Sequence, residues 1–282
     1  MTGKTVPESE AAIGVFDSGV GGLSVVRRLR DRLPYERILY VADQAHVPYG
    51  GRELGEVCGF ACGISEALLT EGCKAIVMAC NISSATALPV LQAEMPHLPI
   101  LGVILPGAQA AAARTRNGRV GVLATAGTVK SGAYTRALHG IAPALQVTEV
   151  ACPAFVPLVE AGQEASSAAT AAAQEYLAPL RAAGVDTVIL GCTHYPFLLP
   201  VLTNLAPEWD FVDPAEQTAR DLADHLAACG LLAPPRATPR HRLTTTGDPA
   251  EFAALLPRFL PDASQIADVD AARWENGALH LK

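Results

Sequence analysis

Short runs of β-branched and aliphatic residues alternate along the chain with longer segments of helical periodicity. An example is AIGVF at 12–16, which is followed by GLSVVRRLRDRL at 22–33. A short continuous apolar run is typical of a strand buried on both faces, whereas apolar residues three or four apart predict a helix. Strands are predicted on this basis at 12–16, 37–42, 75–79, 100–104, 120–124, 146–151, 187–191 and 210–213. The alternation of strand and helix predicts parallel α/β sheets.

The pattern occurs twice. IGVFDSGVGGLS at 13–24 is similar to VGVLATAGTVKSG at 120–132, and AIVMACNISSA at 75–85 is similar to TVILGCTHYPF at 187–197. The members of the first pair start 107 residues apart and the cysteines of the second pair lie 112 apart. We therefore predict an α/β fold of two similar parallel-sheet domains, which also suits a chain of 282 residues. The alternative is that buried parallel strands resemble one another by chance.

The composition excludes several classes of protein. Half of the residues are hydrophobic and only 17% are charged, which is typical of a globular protein. A formal net charge of -7 disfavours nucleic acid as the primary partner, because phosphate backbones would be repelled. No apolar run approaches the roughly 18 residues that span a bilayer, so no membrane partner is expected. MTGKTVPESEAA at 1–12 resembles no targeting segment, and we expect a cytoplasmic protein.

The seven cysteines are irregularly spaced and include no C-x-x-C pair, so neither a disulfide framework nor a bound metal is expected. Free cysteine is usually a buried packing residue, and that role is expected here for Cys58, Cys62, Cys73 and Cys229. Cys152 also follows a strand, and its role stays open between packing and chemistry. Only two cysteines occupy matching places in the two repeats and have polar neighbours. They are Cys80 and Cys192.

Polar residues follow several predicted strands, where parallel α/β sheets place their chemistry. These clusters are Asp17 with Ser18, Asp43, Cys80 with Asn81, and Cys192 with Thr193 and His194. We expect them to converge on one cleft. The state of a thiol depends on neighbouring charges, and Cys192 has an imidazole two residues away. Cys80 could meet Asp17 across adjacent strands.

The glycine-rich stretch DSGVGG at 17–22 does not follow the G-x-G-x-x-G pattern, and GKT at 3–5 lacks the upstream glycine of a P-loop. The stretch DSGVGG instead predicts a tight turn at the start of a helix. The backbone N–H groups of such a turn suit a carboxylate or another anion.

Two thiols that face each other across a cleft suggest a particular reaction. If a carbon acid lies between them, one thiolate removes its proton and the opposite thiol delivers a proton to the other face. This inverts the carbon centre without a cofactor. The reaction needs the two thiols in opposite protonation states and a site that largely excludes water.

A set of motifs along almost the whole chain resembles the glutamate racemases of the aspartate/glutamate racemase superfamily. The motifs are IGVFDSGVGGLSV (13–25), VADQAHVPYG (41–50), MACN (78–81), TVKSGAY (128–134), CPAFVPLVEAG (152–162), LGCTHYPFL (190–198) and LTTTGD (243–248). The resemblance implies two α/β domains with pseudo-twofold symmetry, no cofactor, and a role in supplying D-glutamate for peptidoglycan. It also implies domain boundaries at 1–104 with 214–282, and at 105–213, and a homodimer is possible.

The resemblance implies roles for ten residues. Cys80 is similar to the thiol that acts on the D-enantiomer, and Cys192 to the thiol that acts on the L-enantiomer. The assisting acid–base groups would be Asp17, His194 and Glu160. The substrate contacts would be Ser18, Tyr49, Gly50, Asn81 and Thr193.

One departure from the family bears on the substrate. The family commonly reads Cys-Asn-Thr, but here Ile82 follows Asn81, so one hydroxyl donor is missing. Ser83 or Ser84 could replace it. Two alternatives therefore stay open: a racemase for aspartate or another amino acid, and a protein that binds an amino acid without converting it.

Overall fold

The fold is described by a computed structural model over residues 8–235, 239–261 and 266–281. Part of the proline-rich connector at 231–242, and the GKT segment at 3–5, lie outside the described residues. The strands are β1 (Ile13–Asp17), β2 (Ile38–Ala42), β3 (Ala75–Met78), β4 (Ile100–Gly102), β5 (Arg119–Ala124), β6 (Gln146–Ala151), β7 (Thr187–Gly191), β8 (Asp210–Val212), β9 (His241–Thr245), β10 (Ile266–Glu275) and β11 (Ala278–Leu281).

Helices connect these strands. They are α1 (Leu23–Arg32), α2 (Leu54–Thr70), α3 (Asn81–Glu94), α4 (Ile104–Arg114), α5 (Ala126–Ser131), α6 (Ala133–Ile141), α7 (Phe155–Glu160), α8 (Ser167–Ala182), α9 (Leu199–Leu205), α10 (Pro214–Ala228) and α11 (Pro249–Phe259). All eight predicted strands are present, with boundaries that differ by at most two residues.

The strands form two sheets. The larger has the order β11-β10-β9-β2-β1-β3-β4 and the smaller has the order β6-β5-β7-β8. The pairs are parallel except for β10 with β11, which is antiparallel. In the first sheet β1 lies between β2 and β3, and in the second β5 lies between β6 and β7. The two sheets therefore repeat one strand order, as the sequence repeat predicts.

The central strands of the two sheets share a packing detail. A Cβ added at Gly14 of β1 would lie 3.0 Å from a methyl carbon of Leu68, and one added at Gly121 of β5 would lie 3.0 Å from a methyl carbon of Leu180. The two leucines belong to α2 and α8. In each sheet a glycine thus allows a helix to pack closely on a strand that lies between two others.

Residues from both ends of the chain build the larger sheet, because β9, β10 and β11 extend it beyond β2. The domain boundaries at 104 and 213 remain a prediction. An apolar core runs from one sheet to the other, and α10 packs on both α1 and α4. Within the described residues, no helix combines the length and apolar character needed to cross a bilayer.

Candidate active site

A cavity of about 550 Å³ lies where the carboxyl ends of β1, β3, β5 and β7 meet. All ten residues singled out by the sequence line it: Asp17, Ser18, Tyr49, Gly50, Cys80, Asn81, Glu160, Cys192, Thr193 and His194. Both thiols of interest therefore open into one space. The parallel strands account for this, since each delivers the residues after its last position to the same edge.

Cys80 precedes α3 and is its N-cap residue. Its side chain is almost fully buried, and burial is the main reason why the pKa of the thiol rises to about 12. The negative charge of Asp17 raises that pKa further. Cys80 is therefore held as a neutral thiol, which is the form that can donate a proton.

Asp17 lies at the end of β1 and faces the turn that follows it. Its Oδ2 accepts hydrogen bonds from the N–H groups of Gly19 at 3.2 Å and Gly22 at 3.0 Å. A Cβ at Gly22 would come within 2.5 Å of the Asp17 Cβ, so a side chain there has no room. The predicted anion-binding turn is present, and the carboxylate that it holds belongs to Asp17.

The second oxygen of Asp17, Oδ1, is buried and has no hydrogen-bond partner within the described part of the chain. Burial raises the pKa of this carboxyl, while His194 and the backbone N–H groups oppose the rise. Because Asp17 lines the cavity, its free oxygen is available to a bound molecule or to a proton.

His194 contacts two other residues of the site, Cys192 and Glu160. Its Nδ1 lies 3.8 Å from the Cys192 Sγ, and its Nε2 lies 3.2 Å from Oε1 of Glu160. Burial alone would lower the pKa of the imidazole, but the contacts with Cys192 and Glu160 outweigh burial and raise it to about 10. His194 thus places a positive charge beside the Cys192 sulfur.

The loop of Cys192, Thr193 and His194 is held by α1 of the larger sheet. Ser24 Oγ donates a hydrogen bond to the carbonyl oxygen of Thr193 at 3.0 Å. A Cβ at Gly21 would lie 2.4 Å from the Thr193 Oγ1 and 2.5 Å from the His194 ring. The absence of a side chain at Gly21 is therefore what allows the two sheets to approach at this point.

Asn81 is also held from across the cleft. The hydroxyl of Tyr134, on α6, donates to the Asn81 Oδ1 at 2.7 Å, and both residues are buried. This contact fixes the orientation of the amide and leaves its NH2 group as the donor that can serve a ligand.

Asp43 does not line the cavity, so the expectation that it converges there is wrong. Its carboxylate is buried and faces away, where it accepts hydrogen bonds from Tyr49 Oη at 2.6 Å, Thr246 Oγ1 at 2.9 Å and Trp274 Nε1 at 2.8 Å. The Tyr49 hydroxyl is occupied by this contact. A hydrogen bond donated to a ligand from this segment would therefore come from the main chain around Gly50.

Ile82 lines the cavity and packs on α5. A Cβ at Gly127 would lie 2.3 Å from Ile82 Cδ1, so the two positions fit each other as a large and a small residue. Ser84 cannot replace the missing hydroxyl, because its Oγ donates to Met78 O at 2.8 Å and lies outside the cavity lining. Ser83 is also buried and outside that lining.

Among the cavity residues that were not assigned a role from the sequence, three carry a hydroxyl or a thiol. Thr125 and Thr128 come from the start of α5, and their hydroxyl oxygens lie 3.1 Å apart. The sequence repeat could have predicted these two threonines, since the segment after β5 repeats the turn that follows β1. Cys152, whose role the sequence left open, also lines the cavity, and its thiol donates to Val150 O at 3.5 Å.

The remaining cysteines show one departure from expectation. Cys73 is buried, Cys58 and Cys62 are partly buried, but Cys229 is exposed. Across the described ranges no cluster of three or more metal-ligating side chains is present.

Comparisons with known proteins agree with this geometry. The Asp/Glu/Hydantoin racemase family model matches residues 23–222. The glutamate racemase of Corynebacterium diphtheriae is 44% identical over 253 residues, which cover 89% of this chain and 95% of that protein.

Two solved structures have a similar fold. A glutamate racemase isoform of Bacillus anthracis has a TM-score of 0.88 at 37% identity and covers 96% of this chain and 99% of its own. The glutamate racemase of Francisella tularensis in complex with D-glutamate has a TM-score of 0.85 at 31% identity, with 93% and 96% covered. The paired sheets, the cavity at their carboxyl edge and these likenesses lead to one conclusion: the chain belongs to the Asp/Glu/Hydantoin racemase family and is an amino-acid racemase, an isomerase.

Proposed function

We propose that the protein interconverts L- and D-glutamate by proton transfer between the substrate α-carbon and two thiols, Cys80 and Cys192. The observation that carries this proposal is that both thiols, from matching positions in two similar sheets, line one cavity. Glutamate is supported as the substrate by relatives that are named glutamate racemases, and by the similar structure that contains D-glutamate.

The two thiols differ in the charge beside them. We call Cys80 with Asp17 the Cys80 side, and Cys192 with His194 and Glu160 the Cys192 side. Burial and a nearby carboxyl keep Cys80 as a thiol, whereas Cys192 has the positively charged imidazole of His194 beside it. In the proposed reaction with the L-enantiomer, Cys192 therefore acts as the base and Cys80 as the proton donor.

The proton balance closes over one conversion. The Cys192 thiolate takes the α-proton of L-glutamate, so the C–H bond breaks and an S–H bond forms. The electron pair stays on the α-carbon and its carboxylate. Cys80 then gives its proton to the opposite face, which yields D-glutamate and a Cys80 thiolate. Nothing is oxidised or reduced, and the reverse reaction starts from the form that this leaves.

The remaining cavity residues would hold the substrate. The Asn81 amide and the hydroxyl groups of Ser18 and Thr193 are donors for its carboxylates, and the backbone at Gly50 closes the cavity from the other side. A Cβ at Gly50 would lie 3.1 Å from Thr125 Cβ, so this loop is in close contact with the opposite side of the cleft. Such closure limits water, which would otherwise protonate the carbanion from either face.

D-glutamate made in the cytoplasm would supply peptidoglycan synthesis, as the family resemblance implies. Residues 1–104 with 214–282, and residues 105–213, would be the two domains that carry the two thiols. The homodimer remains a prediction.

The direct test is deuterium exchange at the α-carbon of L- and D-glutamate in D2O with no cofactor added. We expect exchange and racemisation of both enantiomers, and no exchange by the purified protein would refute the proposal. Competition between glutamate and aspartate in one polarimetric assay tests the effect of Ile82, since a preference for aspartate would change the substrate.

A further inference from the structure

Helix α11 contacts the Cys192 side although it leads into β10 of the larger sheet. Arg258, near the end of α11, donates from Nη1 to the backbone carbonyl oxygen of Glu160 at 3.0 Å. Its Nη2 and Nε atoms donate to Oε1 of Glu164, at 2.8 and 3.3 Å. One guanidinium therefore contacts both ends of the turn that follows α7.

The turn after α7 leaves room for the Arg258 side chain. Gly162 has a φ of 72°, and its N–H bonds to Val159 O while Gln163 N–H bonds to Leu158 O, which closes the end of α7. A Cβ at Gly162 would lie 3.6 Å from the Arg258 Cζ, so the guanidinium lies against the glycine. The carbonyl of Glu160 is one of the groups that a helix end leaves without an internal partner, and Arg258 satisfies it.

Glu160 needs such an anchor because its side chain is 49% exposed. A long, half-exposed side chain has many rotamers, and holding one of them carries an entropic cost. Its Oε1 nevertheless lies 3.2 Å from the His194 Nε2. The Arg258 contact fixes the main chain of Glu160 at its carbonyl, so the side chain starts from one position when it reaches toward His194.

The residue after Arg258 contacts the other partner of this pair. The Phe259 ring packs edge-on to the His194 ring at a centroid distance of 6.1 Å, and on Phe197 at 4.9 Å. Two adjacent residues of α11 thus contact Glu160 and His194. Neither Arg258 nor Phe259 lines the cavity, so neither touches the substrate.

We propose that Arg258 is a positioning residue for the Cys192 side, which holds Glu160 in contact with His194 by fixing the turn after α7. This inference rests on the two-thiol reaction proposed above. It also connects the last helix of the chain with one of the two proton-transfer steps, and it assigns Glu164 the task of orienting the guanidinium.

The expected consequence is a weaker Glu160–His194 contact when Arg258 is lost. The titratable groups that face His194 are Cys192 in its own loop, Glu160 of α7 and Asp17 of β1. Of these, only Glu160 is held by Arg258. A change that acts through Glu160 should therefore alter the titration of His194 and leave the Cys80 side unchanged.

The first experiment measures kcat, KM and the α-deuterium isotope effect on kcat/KM for both enantiomers in Arg258→Met. We expect kcat to fall about tenfold, as for a misplaced catalytic group, with KM within about twofold. The isotope effect should rise with L-glutamate and fall with D-glutamate, because the Cys192 step becomes more rate-limiting. Arg242→Met is the matched control, since Arg242 pairs with Glu71 and Asp270 away from the cavity, and it should leave these values unchanged.

A double-mutant cycle tests whether Arg258 acts through Glu160. In a Glu160→Gln background, Arg258→Met should change kcat by less than about twofold, because coupled residues are not additive. A full tenfold loss in both backgrounds would overturn the proposal. If Arg258→Met does not fold, Arg258→Lys serves the same cycle, since a lysine cannot make both contacts at once.

The second measurement does not depend on turnover. The 15N imidazole shifts of His194, followed over pH in the whole protein, should show its titration midpoint lower by about one unit in Arg258→Met than in the unmodified chain. An unchanged midpoint would also overturn the proposal. If the unmodified protein fails to racemise glutamate, the proposed function fails, while this titration still decides the role of Arg258.

Discussion

The Cys80 side and the Cys192 side occupy matching places in two sheets of the same strand order, but they are built differently. Cys80 begins a long helix and has a buried carboxyl, Asp17, as its neighbour. Cys192 is followed by a short 3-10 turn and has a buried imidazole 3.8 Å away. The strand order is thus the same in the two sheets, but the backbone after each thiol and the charges beside it differ. A reaction that needs one thiol protonated and the other ionised can use this asymmetry.

Removing either thiol has the largest expected effect. Cys80→Ala and Cys192→Ala should each lower the rate of racemisation by about 10³-fold or more, because each deletes one of the two proton-transfer groups. Polarimetry with purified variants measures this. Cys229→Ala is the control, since this cysteine is exposed and lies outside the cavity lining, and it should keep full activity. Substantial activity in either active-site variant would contradict the two-thiol mechanism.

Replacing the assisting groups should lower the rate equally for both enantiomers but shift the isotope effects of the two sides in opposite directions. Asp17→Asn and His194→Asn should each lower kcat/KM by about 10²-fold, and equally for both enantiomers, since the equilibrium constant between enantiomers is one. The isotope effect distinguishes them. His194→Asn should raise it for L-glutamate and lower it for D-glutamate, and Asp17→Asn should do the reverse. The same pattern in both variants would show that the groups do not belong to separate sides.

The pH dependence should report on His194. Its pKa is raised from 6.5 to about 10, so the imidazolium and any activity that needs it should be lost as the pH rises through about 10. The same shift stabilises the folded chain fully below pH 6.5, and this contribution disappears between pH 6.5 and 10. Urea unfolding of wild type and His194→Asn across this range measures it. The difference in unfolding free energy should shrink with rising pH, and a constant difference would mean that His194 is neutral throughout.

The smallest effects should come from the symmetric framework. Gly14→Ala and Gly121→Ala should each destabilise the fold by about 1–3 kcal/mol, because the added methyl overpacks against Leu68 or Leu180. Denaturant unfolding compares the two variants. Similar losses would support an equivalent role of the two glycines, while Gly55→Ala, at a position open to solvent, should cause no loss.

Much of the site could be predicted from local sequence. Strand periodicity placed Cys80 and Cys192 directly after buried strands, and parallel strands bring such positions to one edge. The prediction that Asp43 lines the cavity was wrong for a specific reason. Asp43 follows β2 as Asp17 follows β1, but its carboxylate bonds to Thr246 and Trp274, which come more than 200 residues later. Local periodicity carries no information about such partners.

The sequence by itself determined the eight strands between residues 12 and 213, the duplicated framework and the two thiols, because these depend on apolar periodicity and on residues close together in the chain. It did not predict β9, β10 and β11, which complete the larger sheet. Only the tertiary structure decided which groups surround each thiol. The Tyr134 contact with Asn81 and the Arg258 contact with Glu160 join residues that are far apart in the sequence. The direction of a side chain at a strand end depends on what packs against it, and that is settled only when the sheets and helices come together.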